Sequence, residues 1–384
     1  MRALVAGAGI GGLAAAVALR NAGFDPLILE RAGEVREAGA GLLLGANAVA
    51  ALHALGLSAA ASGLGVPVTA GLLRDPSGKV LAAPRLPPES ERLGADSVAV
   101  SRPELLSALL AAAGEGRVRA GARVAGFRRV EGGVAAVLAG GGEERGSLLV
   151  GADGLYSAVR GGLKASRGSK EPRYAGYTAW RGVAHPAEGL VPRGVGLETW
   201  GRGARFGAVY IGEGRVYWFA TRNAPEGARD APGESGKRVL GLVRGWHEPV
   251  EALVRATPEE EIRRDDLYDR APGFRWGRGP VTLLGDAAHP MTPNLGQGAG
   301  QALVDAAALG EALSRAPDPE AGLRLYERRR AAPAAALTLL SRCAGVAGQL
   351  ESPLLAGLRD RAFRAVPARL KERQLRAMLG YDGR

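Results

Sequence analysis

Two glycine-rich segments, far apart in the 384-residue chain, contain the residue types best suited to bind a nucleotide. The first runs from Gly7 to Gly12 with the spacing GxGxxG. At this spacing the first glycine permits a tight turn, the second lets the backbone approach a pyrophosphate, and the third lets a helix pack closely on a sheet. The second runs from Gly285 to Gln301 and combines an acid, two prolines and several glycines. The first segment alone predicts a dinucleotide site.

The residues around the first segment predict the elements that position it. Ala3 to Ala6 form an apolar strand, and the Ala-rich run Leu13 to Leu19 predicts a helix that Gly23 stops. Pro26 to Leu29 predict a second strand, followed by Glu30 where the dinucleotide fingerprint requires an acid to accept hydrogen bonds from ribose hydroxyls. The N-terminus of the helix presents unpaired N–H groups and a positive dipole end to the phosphates.

The second segment also follows a predicted strand, Val281 to Leu284, which places Asp286 at the carboxyl end of that strand. Its two prolines favour extended backbone, so we expect no helical geometry until after Asn294. A helix is then predicted from Ala299 to Leu313, and its positive end would stabilise negative charge on a bound ligand.

The sequence between these segments favours FAD over NAD as the dinucleotide. A plain NAD domain would continue with alternating strands and helices, whereas Val118 to Val150 has the pattern of strands and glycine-rich turns. Within it, Val134 to Ala139 and Leu148 to Val150, joined through three glycines, predict a hairpin.

Composition restricts the class of protein. A chain with 46% hydrophobic residues can bury the cores of two domains. Cys343 is the only cysteine, which excludes an internal disulfide and a dithiol redox pair, so redox chemistry requires a cofactor. The net charge of +11 comes from scattered arginines without a recognition-helix pattern, so we expect no nucleic-acid partner. We also expect no metal site, no signal peptide and no stable membrane insertion, which favours a cytoplasmic protein.

Three segments, in their order and spacing, resemble the single-component FAD-dependent monooxygenases, the family of the aromatic-ring hydroxylases such as para-hydroxybenzoate hydroxylase. They are Gly7 to Gly12 with Glu30 and Arg31, Gly151 to Arg160, and Gly285 to Gly298. The resemblance covers most of the chain and implies an α/β fold. It implies a Rossmann-like FAD-binding domain with a parallel sheet (1–174 and 271–330), a mostly antiparallel β-sheet substrate domain (175–270) and C-terminal helices (331–384).

The resemblance also implies which residues contact FAD. In the family an arginine at the position of Arg102 lies on the flavin chain, the strand backbone at Val124 meets the adenine, and the acid at Asp286 bonds the ribityl chain. Asp153 serves the flavin or the nicotinamide cofactor in the family, and the other interpretation is a helix cap formed with Ser157. The full set is Gly7, Gly9, Gly11, Gly12, Glu30, Arg31, Arg102, Val124, Asp153, Asp286, Gly296, Gln297 and Gly298.

The middle of the chain, from about Ala175 to Arg270, has four strand-like runs that predict one antiparallel sheet. Most of the chain's few aromatic residues lie here, and as a cluster they suit a flat, apolar substrate, whereas an ordinary sheet core is the better explanation of any single aromatic. Arg205 lies on an otherwise apolar strand face and therefore requires an anionic partner. Arg181 is a second candidate to bind an anion, or else forms a surface salt bridge.

Three residues are candidates for catalysis or substrate contact. Arg205 and Tyr217 match positions at which the urate-hydroxylating branch of the family contacts the purine. That branch has an acid where this chain has Asn294, so urate itself is not predicted. His289 lies within the second segment and is a candidate base toward a phenol, with a structural role beside Pro290 as the alternative.

The C-terminal part of the chain is predicted to be helical after Pro333. Leu339, Cys343, Val346 and Leu350 recur at helical spacing, which predicts a helix that packs on the protein through this face.

The activity implied by the resemblance is NAD(P)H- and O2-dependent insertion of one oxygen atom into an aromatic or cyclic small molecule through a flavin C4a-hydroperoxide. Only one dinucleotide fingerprint is present, so NADH or NADPH is expected to bind without a domain of its own. Two alternatives stay open: epoxidation of an apolar alkene, because Pro293 to Gly298 also resembles carotenoid-type epoxidases, and a non-catalytic flavin or nucleotide sensor. The substrate is expected to be a planar aromatic or cyclic small molecule that can carry an anionic group, and the protein a monomer or homodimer.

Overall fold

The regular elements are given by a computed structural model, which describes residues 1–35, 41–58, 63–85, 93, 95–163, 171–367 and 369–373. The strands are Arg2–Ala6 (β1), Asp25–Leu29 (β2), Gly41–Leu44 (β3), Gly65–Pro67 (β4), Ala70–Arg74 (β5), Val80–Ala82 (β6), Val98–Ser101 (β7), Val118–Arg119 (β8), Val124–Val130 (β9), Gly133–Leu138 (β10), Glu143–Gly146 (β11), Leu148–Gly151 (β12), Arg173–Ala184 (β13), Val195–Trp200 (β14), Ala204–Gly212 (β15), Arg215–Asn223 (β16), Arg263–Asp269 (β17) and Val281–Leu283 (β18). The α-helices are Ile10–Asn21 (α1), Ala46–Ala54 (α2), Arg102–Ala113 (α3), Ala158–Gly162 (α4), Ser235–Leu242 (α5), Val250–Arg255 (α6), Gly298–Arg315 (α7), Pro319–Gly348 (α8) and Pro353–Ala365 (α9).

A parallel sheet with the order β18-β12-β1-β2-β8 forms the nucleotide-binding half of the molecule. Its central strand β1 is buried from Ala3 to Ala6, between helix α1 and strand β11, and its sequence is a continuous apolar run. Ala6 pairs with Gly151 and Gly151 pairs with Leu283, so the carboxyl ends of three strands lie side by side. This register brings the three segments of the sequence analysis to one edge and confirms the Rossmann-like fold.

The predicted hairpin has a different second strand. β10 pairs antiparallel with β9 and with β11, and Glu143–Gly146 is therefore the partner of Val134 and its neighbours. The run Leu148 to Val150 instead lies in β12, in the middle of the parallel sheet. Three consecutive apolar residues are typical of a strand buried on both faces. The predicted hairpin left out the polar strand β11, so its second strand was wrong.

A seven-stranded sheet with the order β17-β13-β16-β15-β14-β5-β6 forms the other half. The four strands predicted between 175 and 270 are β13 to β16, and all their pairings with one another are antiparallel. The sheet also includes β5 and β6, and β5 pairs with β14 in parallel. Residues from the N-terminal third therefore complete the sheet, while the predicted domain bounds stay a prediction.

The aromatic residues of this sheet divide between its two faces. Trp180, Phe206, Tyr210 and Trp218 pack in a core with helices α5 and α6, and the rings of Phe206 and Trp218 stack with centroids 5.6 Å apart. For these four residues the ordinary-core interpretation is correct. Trp200, Tyr217 and Phe219 line a cavity on the opposite side.

The long helix α8 packs on the protein through a different face from the one predicted. Leu339 is 48% exposed and Val346 66% exposed, and Cys343 is exposed too, so the predicted packing stripe was wrong. The buried face consists mainly of small and hydroxyl residues, among them Ala334, Ala335, Thr338, Ser341, Gly345 and Gly348. A Cβ atom on Gly345 would lie 2.6 Å from Asn294 Nδ2, so close packing requires a glycine there.

Helix α8 also crosses the predicted boundary at 330/331 and contains Pro333 within its length. Among the described helices, it alone is long and apolar enough to cross a membrane by length and composition, and 44% of its most apolar window is buried in the protein. A core helix of a soluble protein meets the same criterion.

Candidate functional site

A cavity of about 1760 Å³ lies between the carboxyl edge of the parallel sheet and one face of the seven-stranded sheet. Pockets for one drug-sized ligand have volumes of about 300–1,000 Å³, so this cavity has room for a dinucleotide and a second molecule. We describe it as two halves. The nucleotide half includes Gly7, Glu30 and Asp286, and the substrate half includes Arg205 and Tyr217.

The turn between β1 and α1 has the shape of a phosphate cradle. Gly7 has φ +100°, and a Cβ atom on Gly12 would lie 1.9 Å from the Gly7 carbonyl oxygen. Gly9 lines the cavity, and a Cβ atom there would have no neighbour within 4 Å. No side chain caps α1 and its first turn holds no acid, so its N–H groups are left for an anion. These features fit the pyrophosphate of FAD.

Glu30 holds this turn in place as well as lining the cavity. Ala8 N–H donates to Glu30 Oε2 at 2.7 Å, and Ala32 N–H donates to Oε1 at 2.8 Å. Arg31 and Val124 line the cavity beside it. The predicted contact with ribose is compatible with this position, since each carboxylate oxygen can accept a further hydrogen bond.

Asp153 caps helix α4, which was the alternative to a role in cofactor binding. Its carboxylate accepts hydrogen bonds from the Ser157 hydroxyl, from Ala158 N–H at 2.7 Å and from Val159 N–H at 3.2 Å. Asp153 also lines the cavity. Arg102, the first residue of α3, lines it from another wall.

The segment that begins at Gly285 forms the wall beside the nucleotide half. Asp286 lies in a 3-10 turn directly after β18 and faces the cavity. Desolvation raises the pKa of its carboxyl, against the opposing electrostatic effects of His289 and Arg102. The chain forms another 3-10 turn from Pro293 to Leu295, so the expectation of extended backbone through Asn294 was wrong.

Gly296 ends this second turn with φ +62°, and α7 begins at Gly298 without a side-chain cap. Both glycines line the cavity. The side chain of Gln297 is buried instead, where its Oε1 accepts hydrogen bonds from Asn47 at 3.3 Å and Gln301 at 3.1 Å. Gln297 is not among the residues that line the cavity, and its contact with FAD stays a prediction.

A buried cluster behind this wall was missed by the sequence analysis. Asp305 and Arg330 are both fully buried, and Arg330 Nε donates to Asp305 Oδ1 at 2.7 Å. Asp305 Oδ2 accepts from Gly285 N–H at 3.1 Å and lies 2.6 Å from His289 Nε2. Burial disfavours the ionised carboxyl, but the charges of His289 and Arg330 outweigh it and lower the pKa of Asp305. The available signal was an aspartate inside the otherwise apolar run from Ala302 to Leu309.

This cluster determines the position of His289. The residue is 4% exposed and is not among the residues that line the cavity. One of its nitrogens contacts Asp305, and its ring lies 5.2 Å from that of Trp276. The geometry supports the structural role and not the role of a base toward a phenol.

The substrate half contains the other predicted residues. Arg205 and Tyr217 both line the cavity, with Tyr217 packed against Gly41 of β3. Burial raises the pKa of Tyr217, against the effect of Arg181, so its hydroxyl is protonated at neutral pH. Burial likewise raises the pKa of Tyr177, whose hydroxyl lies 2.9 Å from Asn294 Nδ2.

Arg205 does not present a free charge. Its Nε donates to Glu198 Oε1 at 2.7 Å, and its Nη2 donates to the same oxygen. Its Nη1 donates to Asn294 Oδ1 at 2.5 Å. The anionic partner expected for Arg205 is thus a side chain of the same protein.

Comparison with known proteins agrees with this geometry. A family model described as FAD binding domain matches residues 1–341. Aurachin C monooxygenase/isomerase of Stigmatella aurantiaca is 42% identical over 94% of this chain and 93% of that protein. Chloroplastic zeaxanthin epoxidase of an Oncidium hybrid cultivar is 34% identical over 92% of this chain, which spans 56% of that longer protein. The crystal structure of Klebsiella pneumoniae HpxO with FAD and uric acid is 31% identical with a TM-score of 0.91, covering 99% of this chain and 96% of that one.

Proposed function

The chain belongs to the FAD binding domain family and is an FAD-dependent monooxygenase, and from this we propose that it uses NADH or NADPH and O2 to oxygenate a cyclic small molecule in the cavity. The observation that carries the proposal is the continuity of the cavity. One space is lined by the phosphate cradle at Gly9, the wall at Asp286 and the sheet face at Tyr217. A reactive cofactor ring and a substrate can therefore meet without crossing bulk water.

When bound, FAD would supply the chemistry: reduction by NADH or NADPH, reaction with O2 to a flavin C4a-hydroperoxide, and transfer of one oxygen atom to the substrate. The chain's own residues bind and orient. Gly7, Gly9 and the N-terminus of α1 would hold the pyrophosphate, and Glu30 the ribose. The uncapped N-terminus of α7 would stabilise negative charge that develops on the bound cofactor.

The substrate half orients a ring and excludes water. Phe219, Leu197 and Val209 contribute apolar wall, and the protonated hydroxyl of Tyr217 is a hydrogen-bond donor within it. A dry, apolar cavity protects a reactive oxygen donor from hydrolysis and side reactions.

The proposal is tested with purified protein saturated with FAD. Ring compounds are screened for their ability to stimulate oxidation of NADH or NADPH, and the masses of the products are measured by mass spectrometry. A stimulated rate with a product that gains one oxygen is expected. Protein that stays colourless after saturation with FAD, or oxidation without any oxygenated product, would refute it.

Epoxidation is a second candidate, because the 34% identical relative is a zeaxanthin epoxidase and the cavity wall is largely apolar. The same assay separates the two when phenolic acids are run beside apolar alkenes. Stimulation by an alkene with formation of its epoxide would replace hydroxylation as the function.

A further inference from the structure

The guanidinium of Arg205 is a fixed part of the cavity wall and not an open anion receptor. The residue is 2% exposed, and each of its three nitrogens donates to a protein oxygen of Glu198 or Asn294. Helix α8 covers it closely, since a Cβ atom on Gly348 would lie 2.7 Å from Arg205 Cδ. An anionic substrate would have to displace Glu198 from a partly buried, charged hydrogen bond to a buried arginine, which is unfavourable.

The second candidate for binding an anion is also paired. Arg181 Nη1 donates to Asp265 Oδ2 at 2.9 Å. The remaining cations that line the cavity are Arg31, Arg102 and Arg123, which lie with the nucleotide half, and Lys371 of the C-terminal segment. Within the described residues, both arginines on the sheet face of the substrate half, Arg181 and Arg205, are thus paired with a carboxylate.

The carboxylate of Glu198 keeps one oxygen available. Its Oε1 accepts hydrogen bonds from Arg205 and from Trp200 Nε1, the latter at 2.7 Å. Its Oε2 has no hydrogen-bond donor among the described residues, and the side chain is 29% exposed where it lines the cavity. Since an ionised carboxylate is acceptor-only, Oε2 offers a strong site for an N–H or O–H group of a ligand.

We propose that Glu198 Oε2 is the polar subsite for the substrate, and that it selects an uncharged, mostly apolar ring compound with one O–H or N–H donor. A carboxylate on the substrate would meet the charge of Glu198 and is rejected. The apolar part of the substrate would contact walls supplied by Leu197, Val209, Phe219 and Leu337. This inference rests on the proposed function, because it names the substrate class of the same cavity.

Three flat probes of similar size test the subsite in the FAD-loaded full chain. They are 2-naphthol, a neutral donor; 2-methoxynaphthalene, with the donor blocked; and 2-naphthoate, an anion. Dissociation constants come from the change in flavin absorbance and from calorimetry. A hydrogen bond to a charged group contributes about 1.5–3 kcal/mol, so naphthol should bind roughly 10- to 100-fold more tightly than methoxynaphthalene. Naphthoate should bind more weakly than naphthol.

Substitution of Glu198 assigns this preference to the residue. In Glu198→Gln the naphthol preference should fall by about tenfold, and naphthoate should bind more tightly because Arg205 has lost its carboxylate partner. In the double variant Glu198→Gln/Arg205→Gln, which leaves neither charge, the gain for naphthoate should disappear. Lys371→Gln is the matched control and should leave the order of the three probes unchanged.

Several outcomes overturn the inference. These are tighter binding of naphthoate than of naphthol to the wild type, no binding of any probe, an unchanged preference in Glu198→Gln, or loss of the preference in Lys371→Gln. If Glu198→Gln does not fold, Glu198→Asp takes its place, since the shortened carboxylate should weaken naphthol binding without admitting naphthoate. Naphthol binding through Glu198 without oxygenation of any ring compound would sustain the subsite and refute the proposed function, so the two failures are distinguishable.

Discussion

The buried cluster of Asp305, Arg330 and His289 is expected to hold the cofactor wall, and Asp305→Asn tests this directly. The substitution keeps the shape of the side chain and removes its charge. Asp305 contacts the backbone N–H of Gly285, so it connects helix α7 to the turn that carries Asp286. Loss of the charge should both destabilise the fold and loosen that turn.

The size of the effect follows from the burial of the pair. Arg330 is fully buried, and removal of one partner from a buried ion pair leaves an uncompensated charge, which costs about 3–5 kcal/mol. Unfolding entropy of roughly 2.1 cal/mol/K per residue over 384 residues converts this to a fall in Tm of about 4–6 °C. The pKa of Asp305 is lowered in the fold, so its contribution is present above the unfolded pKa and is lost as pH falls through the folded one. The difference between wild type and variant should therefore shrink in acid.

The assay is thermal unfolding by circular dichroism at neutral and acidic pH, together with FAD affinity by fluorescence titration. Glu311→Gln, on the same helix, is the matched control. Glu311 pairs with Arg315 at 2.7 Å in a partly exposed position, and its loss should cost less than about 1 kcal/mol. Equal Tm values for Asp305→Asn and the control, or unchanged FAD affinity in Asp305→Asn, would refute the reasoning.

Three further predictions concern the cavity wall. Because desolvation within the cavity raises the pKa of Asp286, Asp286→Asn should weaken FAD binding while leaving the Tm of the FAD-free protein equal or higher; a lower Tm with unchanged affinity would contradict this. Gly348→Ala should lower the free energy of unfolding by about 1–3 kcal/mol, because its methyl group would clash with Arg205. Gly357→Ala, in open space on α9, should leave the free energy of unfolding unchanged or raise it in the same denaturation experiment. Because burial also raises the pKa of Tyr217, the pH–rate profiles of wild type and Tyr217→Phe should have the same shape up to pH 10, and an inflection below pH 10 seen only in the wild type would count against it.

Local sequence patterns were sufficient for the nucleotide half. The geometry of the turn from Gly7 to Gly12 depends on contacts among residues of the motif itself and Glu30. A motif of this kind can therefore be recognised from the sequence. The register of the parallel sheet then brings Asp153 and Asp286 to the same edge. Eleven of the thirteen residues expected to contact FAD line the cavity, while Gly12 and the side chain of Gln297 serve packing.

The features that were missed depend on contacts between distant residues. Arg330 reaches Asp305 across 25 positions, and Arg205 is covered by Gly348 from a helix that follows much later in the chain. Periodicity on α8 pointed to the leucine face, but the close approach of the backbone to Asn294 requires the small-residue face instead. Pairing of Arg205 with Glu198 likewise depends on two neighbouring strands, β14 and β15, whose register the sequence does not state.

The most direct test of the account is a single turnover of FAD-loaded protein with NADH or NADPH under isotopically labelled O2, using the ring compound that most stimulates cofactor oxidation. The account predicts a product that carries one labelled oxygen atom. A product without the label, or an unchanged ring compound despite complete oxidation of the reduced nicotinamide, would contradict it.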